Sequence, residues 1–222
     1  SARRHEMLRL ACADVLGLVD VRTVMAGLTT IADATVQAAL AAAHRQVHAD
    51  SGGLAQVAVI AMGRLGGQEM GYSSDADVLF VAAVSAGADP REAIAEATRI
   101  AETATTLLGR PSPDPALVID ADLRPEGKAG PLVRTVDSYR QYWERNLEPW
   151  QRQALLRVRP VAGDSALTDE LMRVIDGLRY PADGLPAADV REIRRIKARV
   201  DTERMPRRAD KALHTKLGPG GL

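Results

Sequence analysis

The chain of 222 residues contains one cysteine, Cys12, so it closes no disulfide within itself and offers no cysteine zinc site. A lone thiol suits a reducing compartment, and a cytoplasmic location is the expectation. An excess of either charge is also missing. Lys and Arg number 29, Asp and Glu number 29, and the net charge is zero, so no global basic field favours nucleic acid. The cations are 25 Arg and 4 Lys, a bias that fits a GC-rich coding sequence better than phosphate recognition. No uninterrupted apolar run reaches about 18 residues and no signal peptide opens the chain, which argues against a membrane partner. Aromatic residues are 3% of the total, and four of the seven (Tyr139, Tyr142, Trp143 and Trp150) fall within one short stretch. Core packing of a helix explains that stretch better than a base-stacking platform. The chain lacks an initiator Met and stops at LGPGGL, so it reads as a piece of a longer protein.

What is present is periodicity. Residues 4–48 are Ala-rich and free of proline, with Leu8, Leu10, Val15, Val24, Leu28, Ile31, Val36, Leu40 and Val47 at three- and four-residue steps. This predicts two or three helices, with Gly17 and Gly27 as candidate breaks and a stop near Asp50-Ser51-Gly52-Gly53. Buried strands are expected over 54–62 and 76–84, and a third over 116–124. A helix is expected over 90–108, opened by Pro90 and closed by Gly109. Past 135 the pattern is helical: an aromatic helix, a second from Pro149 to Pro160, a third over 165–178 and a last one from Asp189. Ten Lys/Arg against five Asp/Glu between 189 and 216 suit a solvated face or a contact with an acidic partner or phosphate. The predicted division is N-terminal helices (1–50), an α/β core (51–134) and a C-terminal helical segment (135–222). The fold class is α+β.

One stretch carries chemistry: VAVIAMGRLGGQEMGYSSDADVLFVAAV, residues 57–84. Residues two apart on a strand point to one side, so Asp75 and Asp77 project together. Two such carboxylates repel unless a cation lies between them. Mg²⁺ takes one or two protein carboxylates plus phosphate oxygens. Gly63, Gly66 and Gly67 let the backbone approach a phosphate and offer it N–H groups. Strand, glycine loop and paired aspartates together point to a metal nucleoside triphosphate. Asp120, some forty residues later on its own strand, would complete a two-metal phosphoryl-transfer site. A lone Asp-x-Asp is common, and the glycines alone could merely shape a turn. There is no Walker A sequence, which disfavours a P-loop NTPase. His44 and His48 share a helix face, but no third metal ligand follows them.

GRLGGQEMGYSSDADVLFV resembles the signature of the DNA polymerase β-like nucleotidyltransferases. Within these, Gly63 to Asp77 is similar to the Gly-[Lys/Arg]-Leu-Gly-Gly-x-Glu…Ser-Ser-Asp-x-Asp pattern of the glutamine synthetase adenylyltransferase family. IDADLRPEGKAGPLV, from Ile119 to Val133, resembles a second pattern of that family, except that Asp122 stands where Arg is frequent. WQRQALLRVRPVAGD resembles a third. The resemblance implies a polymerase β-like sheet with flanking helices, and transfer of AMP from ATP to a tyrosine of glutamine synthetase with release of pyrophosphate. It implies Mg²⁺ held by Asp75, Asp77 and Asp120. It also implies a triphosphate held by Gly63, Arg64, Gly66, Gly67 and Ser74, with Arg124 either neutralising phosphate charge or serving as a structural ion-pair partner. The family enzymes have two such halves; this chain looks more like the C-terminal, adenylylating one. Alternatives are the phosphorolytic removing half and a nucleotidyltransferase acting on nucleic acid or a small molecule. Glutamine synthetase is the expected protein substrate, with a PII-type signalling protein as a second expected partner.

Overall fold

A computed structural model describes residues 2–110 and 115–203. Helix α1 (Ala2–Val15) turns through Leu16–Val19 into helix α2 (Val21–Ser51), whose first turn is capped by Asp20 accepting the Thr23 N–H at 2.8 Å. Two helices therefore stand in the stretch where two or three were expected. Gly27 does not break α2. It lies where α1 crosses, and a Cβ there would come 2.8 Å from Leu10 Cδ2, so the missing side chain serves helix contact. The stretch Val21–Ala49 is long and apolar enough to cross a membrane by length and composition. In the fold its Val24, Leu28, Val36, Leu40 and Val47 are buried in the core.

The sheet follows. Strand β1 (Ala55–Ala61) leads through the short helix α3 (Gly63–Gly66) to strand β2 (Ala76–Val84), which pairs antiparallel with it from Ala55 opposite Val84 to Ala61 opposite Val78. Helix α4 (Pro90–Gly109) crosses over to strand β3 (Ile119–Asp120), which lies parallel to the start of β2. The expected third strand over 116–124 is thus two residues long. Its continuation is a turn and a 3₁₀ segment (Gly127–Ala129), after which strand β4 (Val133–Thr135) rejoins β2 in parallel beside Phe80–Ala82. Helices α5 (Val136–Asn146) and α6 (Pro149–Leu155) come next, then strand β5 (Arg159–Ala162), antiparallel to β1. The helix expected from Pro149 to Pro160 ends at Leu155. Val158 and Val161 are buried while Arg159 is only half-buried and Pro160 is exposed, and as an edge strand β5 loses little by holding a proline. Helix α7 (Ser165–Arg179) covers this side, and α8 (Ala187–Glu203) follows. The basic run expected on the last helix lies partly outside the described residues. The fold is α+β, with eight α-helices among the described residues and a mixed five-stranded sheet.

Both faces of the sheet are covered. Val57, Val59 and Ala61 of β1 and Ala76, Val78, Phe80 and Ala82 of β2 pack with α2 and α4. Ala58, Ile60 and Met62, with Leu79 and Val81, pack against Tyr139 and Trp143 of α5, Leu155 of α6 and Leu171 and Ile175 of α7. Of the four clustered aromatics, Tyr139 and Trp143 are core, stacked at 5.0 Å with the Tyr139 hydroxyl donating to Phe80 O at 3.0 Å, while Tyr142 is half-buried and Trp150 is exposed. Each large aliphatic side chain so buried contributes roughly 1.5–3 kcal/mol, which is why the sheet tolerates few polar residues along its middle.

The His44/His48 pair is a structural device. β5 pairs with β1 only from Val59 onward, which leaves the edge groups of Ala55 and Val57 without a strand partner. His44 Nε2 lies 3.2 Å from Val57 O, His48 Nε2 lies 3.1 Å from Ala55 O, and the buried Glu96 carboxylate accepts the Ala55 N–H at 2.9 Å. His48 also sits 3.3 Å from Glu96. Burial holds the His44 pKa below its ordinary value; His48 nearby adds to this, while the Val57 carbonyl and Glu96 oppose it. An unfolded His44 takes up a proton near pH 6.5, whereas the folded one resists it, so this stability is complete above that pH and is lost as pH falls toward the folded value. Urea denaturation is expected to show a midpoint that drops between about pH 7 and 5.5. In His44→Gln, which cannot charge, that slope should be shallower.

Candidate functional site

The site lies at the end of the sheet where β2 begins and β1 ends. Asp75 immediately precedes β2 and Asp77 is its second residue. Their side chains share the face of Leu79 and Val81, which continues under α5 and α7. On the neighbouring parallel strand Asp120 is in register with Asp77. Side chains paired across adjacent strands point to the same face, so the three aspartates predicted as ligands converge on one side. Strand geometry sets Asp75 and Asp77 about 7 Å apart and Asp77 and Asp120 about 5 Å apart at the backbone. All three are half-buried. Like charges at about 7 Å repel by roughly 2–3 kcal/mol at an effective dielectric near 20, a cost that a bound cation reverses.

The glycine turn meets this face directly. Gly63 has φ +50°, and a Cβ there would lie 2.0 Å from Asp77 Oδ2. The Asp77 carboxylate therefore rests in the space that a side chain at 63 would fill. The two strand ends are also tied: Met62 N donates to Asp77 O at 2.8 Å, and Ala76 N donates to Val118 O at 2.8 Å. Gly66 and Gly67 serve differently. A Cβ at Gly66 would come 1.8 Å from Arg157 O, so its bare backbone seats α3 against the chain before β5. Its N–H donates to Met62 O, and the Gly67 N–H donates to Gly63 O. Both amides are thus engaged within the turn. Arg64 Nη1 lies 3.5 Å from Ser74 Oγ, which accepts the Gly71 N–H at 2.9 Å, so these two residues meet beside the carboxylates.

Asp120 accepts the Asp122 N–H through Oδ1 at 2.7 Å, which turns one carboxylate oxygen toward its own loop. Accordingly, no three His, Cys, Asp or Glu side chains stand as a closed metal-holding group among the described residues. The donor chemistry nonetheless suits Mg²⁺, which takes hard carboxylate oxygens such as these on one face. Asp122 leaves the strand, is exposed, and pairs with Lys128 at 3.3 Å and Arg124 at 3.6 Å. Arg124 donates to Gly130 O at 3.2 Å and Ala121 O at 2.9 Å. In this structure its structural role, pinning the loop after β3, is filled.

Sequence reasoning left out the residues that brace the turn. Arg159 Nη2 donates to Asp33 at 2.8 Å and to Leu65 O at 2.9 Å, joining β5, α2 and α3. Arg157 pairs with Glu69 at 2.9 Å on the other side of the loop. The signal was an Arg-x-Arg at the start of β5, legible only once β5 is recognised as a strand beside the turn. Cys12 is exposed and takes no part.

A family model described as Glutamate-ammonia ligase adenylyltransferase matches residues 1–174. The "Bifunctional glutamine synthetase adenylyltransferase/adenylyl-removing enzyme" of Mycobacterium bovis is 52% identical over 221 residues, covering 99% of this chain and 22% of that protein. The protein of the same description from Mycobacterium avium is 53% identical over 225 residues, covering 99% and 22%. The one from Corynebacterium efficiens is 50% identical over 226 residues, covering 100% and 22%. The chain thus spans about a fifth of the length of the curated relatives it matches, 22% in each case.

Gly63 offers a direct test of the site. Gly63→Ala forces Asp77 Oδ2 out of its seat and strains a left-handed backbone, a combination expected to weaken Mn²⁺ binding at least about tenfold while lowering the melting temperature by roughly 4 °C. Titration followed by water-proton relaxation measures the first and calorimetry the second. A variant with wild-type Mn²⁺ affinity would separate the glycine turn from the carboxylates.

Proposed function

The chain belongs to the glutamate-ammonia ligase adenylyltransferase family, and from that premise we propose that it carries the site that transfers AMP from ATP to a tyrosine of glutamine synthetase. The observation that carries the reading is the register of Asp77 with Asp120, with Asp75 two residues ahead and Gly63 against the Asp77 carboxylate. Asp75 and Asp77, with Asp120, would hold Mg²⁺. When bound, the metal would neutralise charge on the triphosphate and lower the barrier to displacement at the α-phosphorus. Gly63, Arg64 and Ser74 would hold phosphate oxygens, with Gly66 and Gly67 shaping the turn that presents them. Arg124 is read as holding the loop that carries Asp120.

The reaction forms one bond between the tyrosine oxygen and the α-phosphorus and breaks one between the α-phosphorus and the bridging oxygen of pyrophosphate. The tyrosine proton needs an acceptor, because a free phenol has a pKa near 10. Asp120 suits that role. Its Oδ1 is held by the Asp122 N–H, which leaves Oδ2 to face the substrate hydroxyl in a fixed orientation. We extend the reading to a cytoplasmic setting and to control by a PII-type signalling protein through the longer polypeptide.

The test uses unmodified glutamine synthetase and α-labelled ATP. Asp75→Asn and Asp77→Asn are each expected to lower label transfer at least about a hundredfold, with the fold retained because Asn keeps the size of the side chain. With adenylylated glutamine synthetase and phosphate, the unmodified chain should release ADP more slowly than it adds AMP. Faster ADP release would reassign the chain to the adenylyl-removing half, with phosphate as the nucleophile at the same carboxylates. Wild-type transfer by the Asn variants would overturn the site.

A further inference from the structure

Helix α1 is lightly seated, with Leu10 as its buried residue. Yet it touches both chain segments that lead into the carboxylate-bearing strands. Near its start, the Arg3 guanidinium donates to Pro115 O, four residues before β3. Near its end, Asp14 Oδ2 accepts the Tyr72 hydroxyl at 2.8 Å, and Tyr72 stands three residues before Asp75. Eleven helical residues span roughly 16 Å, so a single rigid rod is fixed to both entrances of the site. Beneath it runs a narrow seam lined by Arg3, Met7, Tyr72, Ser74, Ala116 and Leu117.

The turn that Tyr72 occupies is tied to the rest of the fold at Met70 on its near side and by the Arg64–Ser74 contact on its far side. Met70 N donates to Thr29 Oγ1 at 3.3 Å, and Gly71 N donates to Ser74 Oγ at 2.9 Å within the turn itself. The tip of the turn reaches out to α1, where Tyr72 is 46% exposed and unsupported by the core. The Ala76–Val118 bond joins the two entering segments just where Asp77 and Asp120 come into register. A shift of one segment along the other would change the separation of the carboxylates. We propose that α1 is a strap across the two strand entrances and that Asp14 is a positioning residue which, through Tyr72, sets the spacing of Asp75 and Asp77 relative to Asp120. The proposal rests on the reading of those three aspartates as a divalent-metal site.

The experiment measures Mn²⁺ binding by calorimetry in the presence of a non-hydrolysable ATP analogue, on the whole chain. Tyr72→Phe removes the donor and Asp14→Ala removes the acceptor. Each is expected to weaken Mn²⁺ binding about fivefold, the scale of one ordinary hydrogen bond. The double variant should lose no more than either single one, because both act through one contact. Asp14→Asn keeps an acceptor oxygen and should stay within about twofold of wild type. Should Asp14→Ala fail to fold, Tyr72→Phe and Asp14→Asn carry the test. Unchanged affinity in Tyr72→Phe, or losses that add in the double variant, would overturn the strap. Asp75→Asn distinguishes the premises. If it abolishes Mn²⁺ binding while Tyr72→Phe does not weaken it, the strap alone fails; if it binds Mn²⁺ like wild type, the metal reading fails first.

Discussion

The structure depends on the enclosure of β2. Its residues Val78 to Val84 are paired with β1 along one edge, Ala76–Asp77 pair with β3 and Phe80–Ala82 with β4 along the other, and helices cover both faces. A strand closed on four sides has no tolerance for charge along its middle, since each unpaired buried charge costs several kcal/mol or shifts its protonation. Polar chemistry can therefore enter only at its ends. Asp75 and Asp77 stand at the first of them, where the α3 turn and the short β3 leave the sheet incompletely covered.

That arrangement asks for bracing, because a glycine-bearing turn next to mutually repelling carboxylates has little cohesion of its own. The bracing comes from arginine. Arg159 ties α2, α3 and β5 together through Asp33 and the Leu65 carbonyl, and Arg157 holds Glu69 in the loop beyond. Arg124 does the same for the loop after Asp120 through two carbonyls. A planar guanidinium with several donors suits this work better than an ammonium, since it can reach carbonyl and carboxylate in fixed directions at once. The Arg-rich composition has a structural use here whatever its origin in coding bias.

The same physics explains what the sequence disclosed. The alternation at Asp75 and Asp77 was legible because period-two patterning assigns faces without knowledge of the fold. Asp120 was legible as a third carboxylate on a strand, although its register with Asp77 was not, because register depends on how α4 returns the chain. β5 was hidden: RVRPVA follows helical residues without a break, and Pro160 reads as a helix stop when it is an edge-strand residue. Gly66 was read through its backbone amide, whereas its bare Cα is what the neighbouring Arg157 carbonyl requires. The strand expected over 116–124 stops after two residues, and Asp122 turns to solvent. The register of Asp120, the strand β5 and the packing of Gly66 rest on contacts between residues far apart in sequence.

The two ends of the β1–β2 pair show how one sheet treats polar groups in opposite ways. At the Ala55 end the open edge is saturated: His44, His48 and Glu96 meet the exposed main-chain groups, and burial favours the uncharged form of His44. That arrangement joins α2 and α4 to the edge of β1. At the Asp75 end the balance is reversed. Three same-sign carboxylates share a face, and one of them occupies the space left by Gly63. Their mutual repulsion falls when positive charge arrives from outside. One sheet thus carries an internally bonded edge at one end of its central strands and a gathering of like-charged side chains beside a glycine turn at the other.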